Sequence, residues 1–158
     1  MNSRQEELLG GEEEPPKQDL SKTTTLLETA KLPQKISQSE LPQISPTALA
    51  YVGDAIYELY VRMYYLMPLQ RPDSYHRLVV AQVRAEKQAL HLRSLMPLLR
   101  TNELEIVRRG RNAATGRPKR VDPEVYQQAT SLETLIGYLY LTDSQRLNEL
   151  LQQLHLEK

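Results

Sequence analysis

The stretch ALAYVGDAIYELY, residues 48–60, sets Asp54 and Glu58 in a run that is otherwise almost wholly apolar and aromatic. Ser45 before it offers an N-cap, Pro46 fits the first helical position, and Pro68 stands where a helix through SPTALAYVGDAIYELYVRMYYL would stop. The run therefore predicts a long helix with two carboxylates one turn apart on the same side. Like charges so placed repel. A solvated strip or an ion pair from Glu58 to Arg62 would relieve them, yet the neighbours leave little room for a polar face. Gly53 adds a further signal: it costs a helix about 1 kcal/mol relative to alanine, so something is expected to approach the backbone closely there, a cation being one such thing.

Working outward, the same punctuation recurs. A second long helix is expected from about Asp73 or Ser74 to Leu95, since apolar or alanine residues return at three- and four-residue steps until Pro97. Thr101 then reads as the cap of a short helix with Glu103 and Glu105 in its positive first turn. RRGRNAATGRPKR, residues 108–120, reads as a loop marked by Gly110 and Gly116. Asp122 and Pro123 open a helix through SLETLIGYLYL, and DSQRLNELLQQLHL closes the chain as an amphipathic helix. No alternating pattern competes, so the expected fold class is all-α.

The 158 residues, 40% of them hydrophobic, suit one domain with a modest core. Residues 1–42 carry a net charge of −3 and no aromatic side chain, whereas residues 43–158 carry +3 and all nine tyrosines. The first segment is too polar to offset its ordering entropy and is expected to be a disordered extension, with LLETAKL its only candidate helical turn. The second is expected to be the folded domain. There is no cysteine, which excludes disulfides and thiolate zinc sites. No apolar run approaches the roughly 18 to 20 residues that cross a bilayer, and the N-terminus has neither a signal-peptide core nor transit-peptide character, so a cytoplasmic protein without membrane partners is expected.

Glu133 is a second isolated carboxylate, ahead of an apolar run. Two such acids on different helices are a common way to hold Mg²⁺, which takes hard oxygen ligands and keeps several waters. YVGDAIYELYVR and SLETLIGYLYL resemble the two signature helices of the ribonuclease III superfamily, with RRGRNA between them. The body from about Ile44 to Leu151 resembles the Mini-III branch, a catalytic domain without an attached double-stranded-RNA-binding domain.

The resemblance implies an all-helical homodimeric endonuclease that cleaves double-stranded RNA with Mg²⁺, typically maturing the large-subunit (23S) ribosomal RNA precursor, with a ribosomal protein that presents the substrate as a further possible partner. It places the catalytic aspartate on Asp54 and the essential glutamate on Glu133. Larger ribonuclease III enzymes have two more acids, where this chain has Ala50 and Thr130; the Mini-III pattern shares both gaps. Glu58 is the candidate to supply part of the metal shell, against a plain ion pair with an arginine. Hydrolysis would use one or two ions to activate water and stabilise charge on the phosphoryl and leaving oxygens.

Arg108, Arg109, Arg111, Arg117, Lys119 and Arg120, with Asn112 among them, form an acid-free basic stretch suited to phosphates, and such contacts read A-form RNA by shape. Lys87 is a further candidate for reaching phosphate across the dimer, against a helix-surface lysine. His76, His91 and His155 show no metal-ligand spacing and are expected to cap or pack. Tyr57, Tyr60, Tyr64 and Tyr65 recur at helical spacing, which points to core or dimer interface. A catalytically silent RNA- or ribosome-binding domain is the competing reading, disfavoured by the retention of Asp54 and Glu133.

Overall fold

The computed structural model describes residues 36–116 and 120–157. These form six α-helices and no strand: α1 Pro46–Tyr65, α2 Pro72–Val83, α3 Ala85–Leu95, α4 Thr101–Ala113, α5 Pro123–Thr142 and α6 Ser144–Gln152. Short 3₁₀ turns lie at Leu41–Gln43 and Met96–Leu98. LLETAKL and most of the expected extension lie outside the described residues. Of that extension, residues 36–42 are described; there Ser37 Oγ donates to Glu40 Oε2 at 2.7 Å on an exposed turn.

The caps explain where helices start. Ser45 Oγ accepts the Ala48 N–H at 3.1 Å, with Pro46 next in line. Asp122 Oδ1 accepts the N–H groups of Glu124 and Val125 at 2.9 and 3.2 Å, and Asp143 Oδ1 accepts that of Arg146 at 2.9 Å.

Three local expectations are corrected. The long second helix is two, because Arg84 is extended (φ −67°, ψ 150°) and serves as the N-cap of α3. The break frees the Gln82 carbonyl, which accepts the Tyr57 hydroxyl at 3.0 Å instead of a helical N–H. Residues 108–113 belong to α4 rather than to a loop. Gly110 does not end that helix: a Cβ there would lie 2.5 Å from Thr134 Oγ1 and 2.8 Å from Thr134 Cβ, so it lets α4 seat against α5. Thr101 is the first residue of α4 rather than its cap, and Glu103 Oε2 accepts the Arg100 N–H at 2.8 Å.

Helix α5 is the centre of the fold and packs against α1, α3, α4 and α6. That position explains why it is apolar nearly all round, with Leu132, Leu135, Ile136 and Leu139 buried. Tyr57, Val61 and Tyr65 of α1, Leu92 and Leu95 of α3, and Leu147, Leu150 and Leu151 of α6 complete the core. Glu103, 1% exposed, ties α4 to α6: Arg146 Nε donates to Oε1 at 2.8 Å and Nη2 to Oε2 at 3.1 Å. After α6 the chain turns back over the core, burying Leu154 and Leu156, and Tyr60 donates to the Leu151 carbonyl at 3.0 Å.

Candidate active site

Helices α1 and α5 touch backbone to backbone. A Cβ on Gly53 would lie 1.7 Å from the Glu133 carbonyl oxygen, and one on Gly137 would lie 2.0 Å from that of Leu49. Only glycine permits such a crossing. The neighbour that Gly53 admits is therefore the α5 backbone, not a cation, which corrects the first reading of that glycine. The cation question passes to the side chain next to it: the crossing that needs Gly53 also brings Asp54 of α1 beside Glu133 of α5.

The two carboxyl groups lie close enough for each to influence the other's ionisation. Asp54 faces solvent, whereas Glu133 is half-buried. Burial, then the negative charge of Asp54, pushes Glu133 up to about 7, while a hydrogen bond from the Gln88 side chain pulls the other way. Asp54 is also raised, first by lost hydration where the helices meet and then by the charge of Glu58. Two neighbouring carboxyl groups that both hold their protons more tightly than usual mark a place where positive charge is wanted. The donor set suits Mg²⁺, which binds through one or two carboxylates and retains waters on an open side.

Glu58 is not drawn into this pair. Arg62 Nε donates to its Oε1 at 3.1 Å, and its charge reaches Asp54 only through space. Ala50 is buried beneath the crossing, and the Thr130 carbonyl accepts Thr134 Oγ1 at 2.7 Å. Among the described residues, no group of three or more His, Cys, Asp or Glu is arranged to hold a metal ion. The site is a two-carboxylate site open to further ligands.

Beneath it lies a polar group within the core. The Tyr57 hydroxyl sits 3.0 Å from both the Gln82 carbonyl and His91 Nδ1, and burial raises its pKa. His91 is buried and its pKa is lowered, first by desolvation, as a packing histidine requires; His76 is exposed. Of the other three tyrosines expected in core or interface, Tyr65 is buried, Tyr60 half-buried and Tyr64 exposed.

The basic stretch takes a new form. Arg108, Arg109, Arg111 and Asn112 project from the last turns of α4, and Arg120 lies shortly before α5; Arg117 and Lys119 fall outside the described residues. Arg108 Nη2 donates to Glu105 at 2.6 Å and Arg111 lies 3.9 Å from Glu124, both exposed pairs. Lys87 on α3 is paired with Glu157 near the C-terminus.

Gln88 was not anticipated. It is 2% exposed on α3, and its side chain acts to lower the Glu133 pKa. A signal was present: Gln88 falls in register with Leu92 and Leu95 on the buried stripe of RAEKQALHLRSL, where a polar side chain needs a partner.

The family profile described as "Ribonuclease III domain" matches residues 47–144. A Mini-ribonuclease 3 from Synechococcus sp. is 59% identical over 121 residues, covering 77% of this chain and 88% of that protein. One from Synechocystis sp. is 59% identical over 113 residues, covering 72% of this chain and 79% of its own length. A crystal structure of a Fusobacterium nucleatum protein superimposes with a TM-score of 0.66 at 29% identity, covering 72% of this chain and 93% of that one. An all-helical body of this kind, with Asp54 and Glu133 inside the matched span, defines an endoribonuclease of ribonuclease III type. The chain belongs to the Mini-ribonuclease 3 family.

Proposed function

We propose that this endoribonuclease cleaves double-stranded RNA in a Mg²⁺-dependent reaction, that its substrate is the large-subunit ribosomal RNA precursor, and that it acts as a homodimer. The observation that carries the reading is the Asp54–Glu133 pair, two carboxyl groups brought side by side by the α1–α5 crossing, both with raised pKa values, at an opening to solvent. Asp54 and Glu133 would hold the cation, which supplies, when bound, acidity for water and charge stabilisation at phosphorus. Exposed Asp54 meets the substrate side, and half-buried Glu133 anchors from the α5 side. Glu58 stays with Arg62 and contributes negative potential rather than a ligand.

Arg108, Arg109, Arg111, Asn112 and Arg120 are proposed as phosphate contacts, together with Arg117 and Lys119. The exposed Arg108–Glu105 and Arg111–Glu124 pairs are weak enough to exchange for phosphate. Lys87 would first have to leave Glu157. The dimer reading is supported by α1, where Tyr51, Leu59 and Met63, eight and four residues apart on one side of the helix, stay exposed, Tyr51 to 85% and Met63 to 58%. Symmetric pairing of α1 would cover them and set two sites along one duplex. No described helix is long and apolar enough to cross a membrane.

The test is cleavage of a labelled RNA duplex with and without Mg²⁺, by the wild-type chain and by Asp54→Asn. Cleavage that needs both Mg²⁺ and Asp54 supports the reading, and cleavage in EDTA or by Asp54→Asn overturns it.

A further inference from the structure

Helix α1 carries only three charged side chains in its 20 residues, Asp54, Glu58 and Arg62, and they recur at four-residue steps. That spacing puts them on one ridge of the helix, starting from the acid next to the α1–α5 crossing. Every other residue of α1 is apolar, tyrosine, threonine or glycine. Charge on this helix is confined to the face that exposed Asp54 presents to a substrate.

Arg62 is the only cation on the ridge. Its side chain is 59% exposed, and Nε, at 3.1 Å, and Nη2 both donate to the same oxygen, Glu58 Oε1. The rest of the guanidinium's N–H donors have no partner among the described residues, so it can bind a second anion without leaving Glu58. The backbone beneath it is tied down: the Arg62 carbonyl accepts the Tyr75 hydroxyl of α2 at 2.7 Å. A helical side chain leans toward the N-terminus. From about 12 Å farther along the axis, Arg62 therefore reaches back over Glu58 in the direction of Asp54.

A polyanion arriving at this face meets the acids Asp54, Glu58 and Glu133, which repel it. A cation at Asp54 would offset that charge at one phosphate, and the neighbouring phosphates still need a donor. An exposed i,i+4 ion pair and a cation in the last turn of a helix each stabilise only slightly, and neither calls for charge confined to one ridge. A guanidinium matches a phosphate with paired N–H donors, which suits arginine to the place.

We propose that Arg62 is a phosphate-binding residue of the active-site face: while Glu58 holds part of its guanidinium, the free N–H groups take an RNA phosphate beside the one at Asp54. The proposal rests on the reading that this face receives duplex RNA, and its test separates the two.

Binding of a fluorescently labelled RNA duplex to the full chain is followed by anisotropy over a series of salt concentrations, with Ca²⁺ in place of Mg²⁺. Wild type, Arg62→Gln and Arg62→Lys are compared. Arg62→Gln should weaken binding at low salt and make the slope of log affinity against log salt shallower by about one, as the loss of one phosphate contact requires. Arg62→Lys, which keeps the charge, should keep the slope. An unchanged slope in Arg62→Gln overturns the proposal even if the unfolding midpoint falls, because a purely structural ion pair would move stability alone. A slope lost equally in Arg62→Lys also overturns it. Wild-type binding that is absent or indifferent to salt overturns the RNA reading itself, and this inference with it. Should Arg62→Gln change folding or assembly, the wild-type chain decides by NMR. Duplex RNA should shift the Arg62 Nε–H resonance; no shift contradicts the proposal.

Discussion

At neutral pH and without metal, Glu133 is poised between its two protonation states, which makes folding itself sensitive to pH. Its folded pKa is about 7 against an ordinary value of 4.5, so between these limits the folded domain binds more protons than the unfolded chain. Stability therefore falls as pH rises through that window and the loss is complete above pH 7. In EDTA, urea unfolding should show lower stability at pH 8 than at pH 5. Glu133→Gln should remove that difference and exceed wild type at pH 8 by about 2 kcal/mol. Mg²⁺ should stabilise the wild type more at pH 8 than at pH 5, because protons compete with the cation. Glu103 has the opposite sign. Arg146 holds its pKa below the usual carboxylate range, so its contribution is present above pH 4.5 and is lost on further acidification. Glu103→Ala, which strands Arg146, should cost about 3 kcal/mol at pH 7 and much less in acid.

At the scale of elements, the α1–α5 crossing decides whether a site exists at all. Gly53→Ala and Gly137→Ala each drive a Cβ into backbone atoms that cannot turn aside. Each should destabilise by about 3 kcal/mol or more, read from thermal or urea unfolding. Gly110→Ala meets chiefly the Thr134 side chain and should cost less. These glycines also show what the sequence made legible. Helices α1, α5 and α6 could be placed because their signals are local: Ser45–Pro46, Asp122–Pro123 and Asp143 lie next to the helices they start. The break at Arg84 has no local signal, since neither glycine nor proline marks QVRAEK, and what rewards it is the Tyr57 hydroxyl from another helix. Gly110 misled for a related reason. A glycine suits both a helix end and a close packing, and the Thr134 that distinguishes the two lies on α5.

At the scale of the molecule, Asp54 and Glu133 could be paired as isolated carboxylates on different helices, but only the family resemblance made the pairing specific; spacing along the chain gave Asp54 a neighbour in Glu58, which the structure pairs with Arg62. Gln88 escaped because a lone buried glutamine has no meaning until its partner is known. The exposed apolar face of α1 predicts self-association: sedimentation should report a dimer for the wild-type chain, and Met63→Glu should shift it toward monomer. The basic end of α4 predicts RNA binding that weakens steeply with salt. Arg108→Ala combined with Arg111→Ala should flatten the salt dependence of that binding. The most direct test remains catalytic: a labelled RNA duplex incubated with the purified chain in Mg²⁺, in Ca²⁺ and in EDTA, beside Asp54→Asn under each condition. Cleavage in Mg²⁺ by the wild type alone is the predicted result. Cleavage that survives EDTA, or that Asp54→Asn retains, would contradict the assignment of a two-carboxylate metal site.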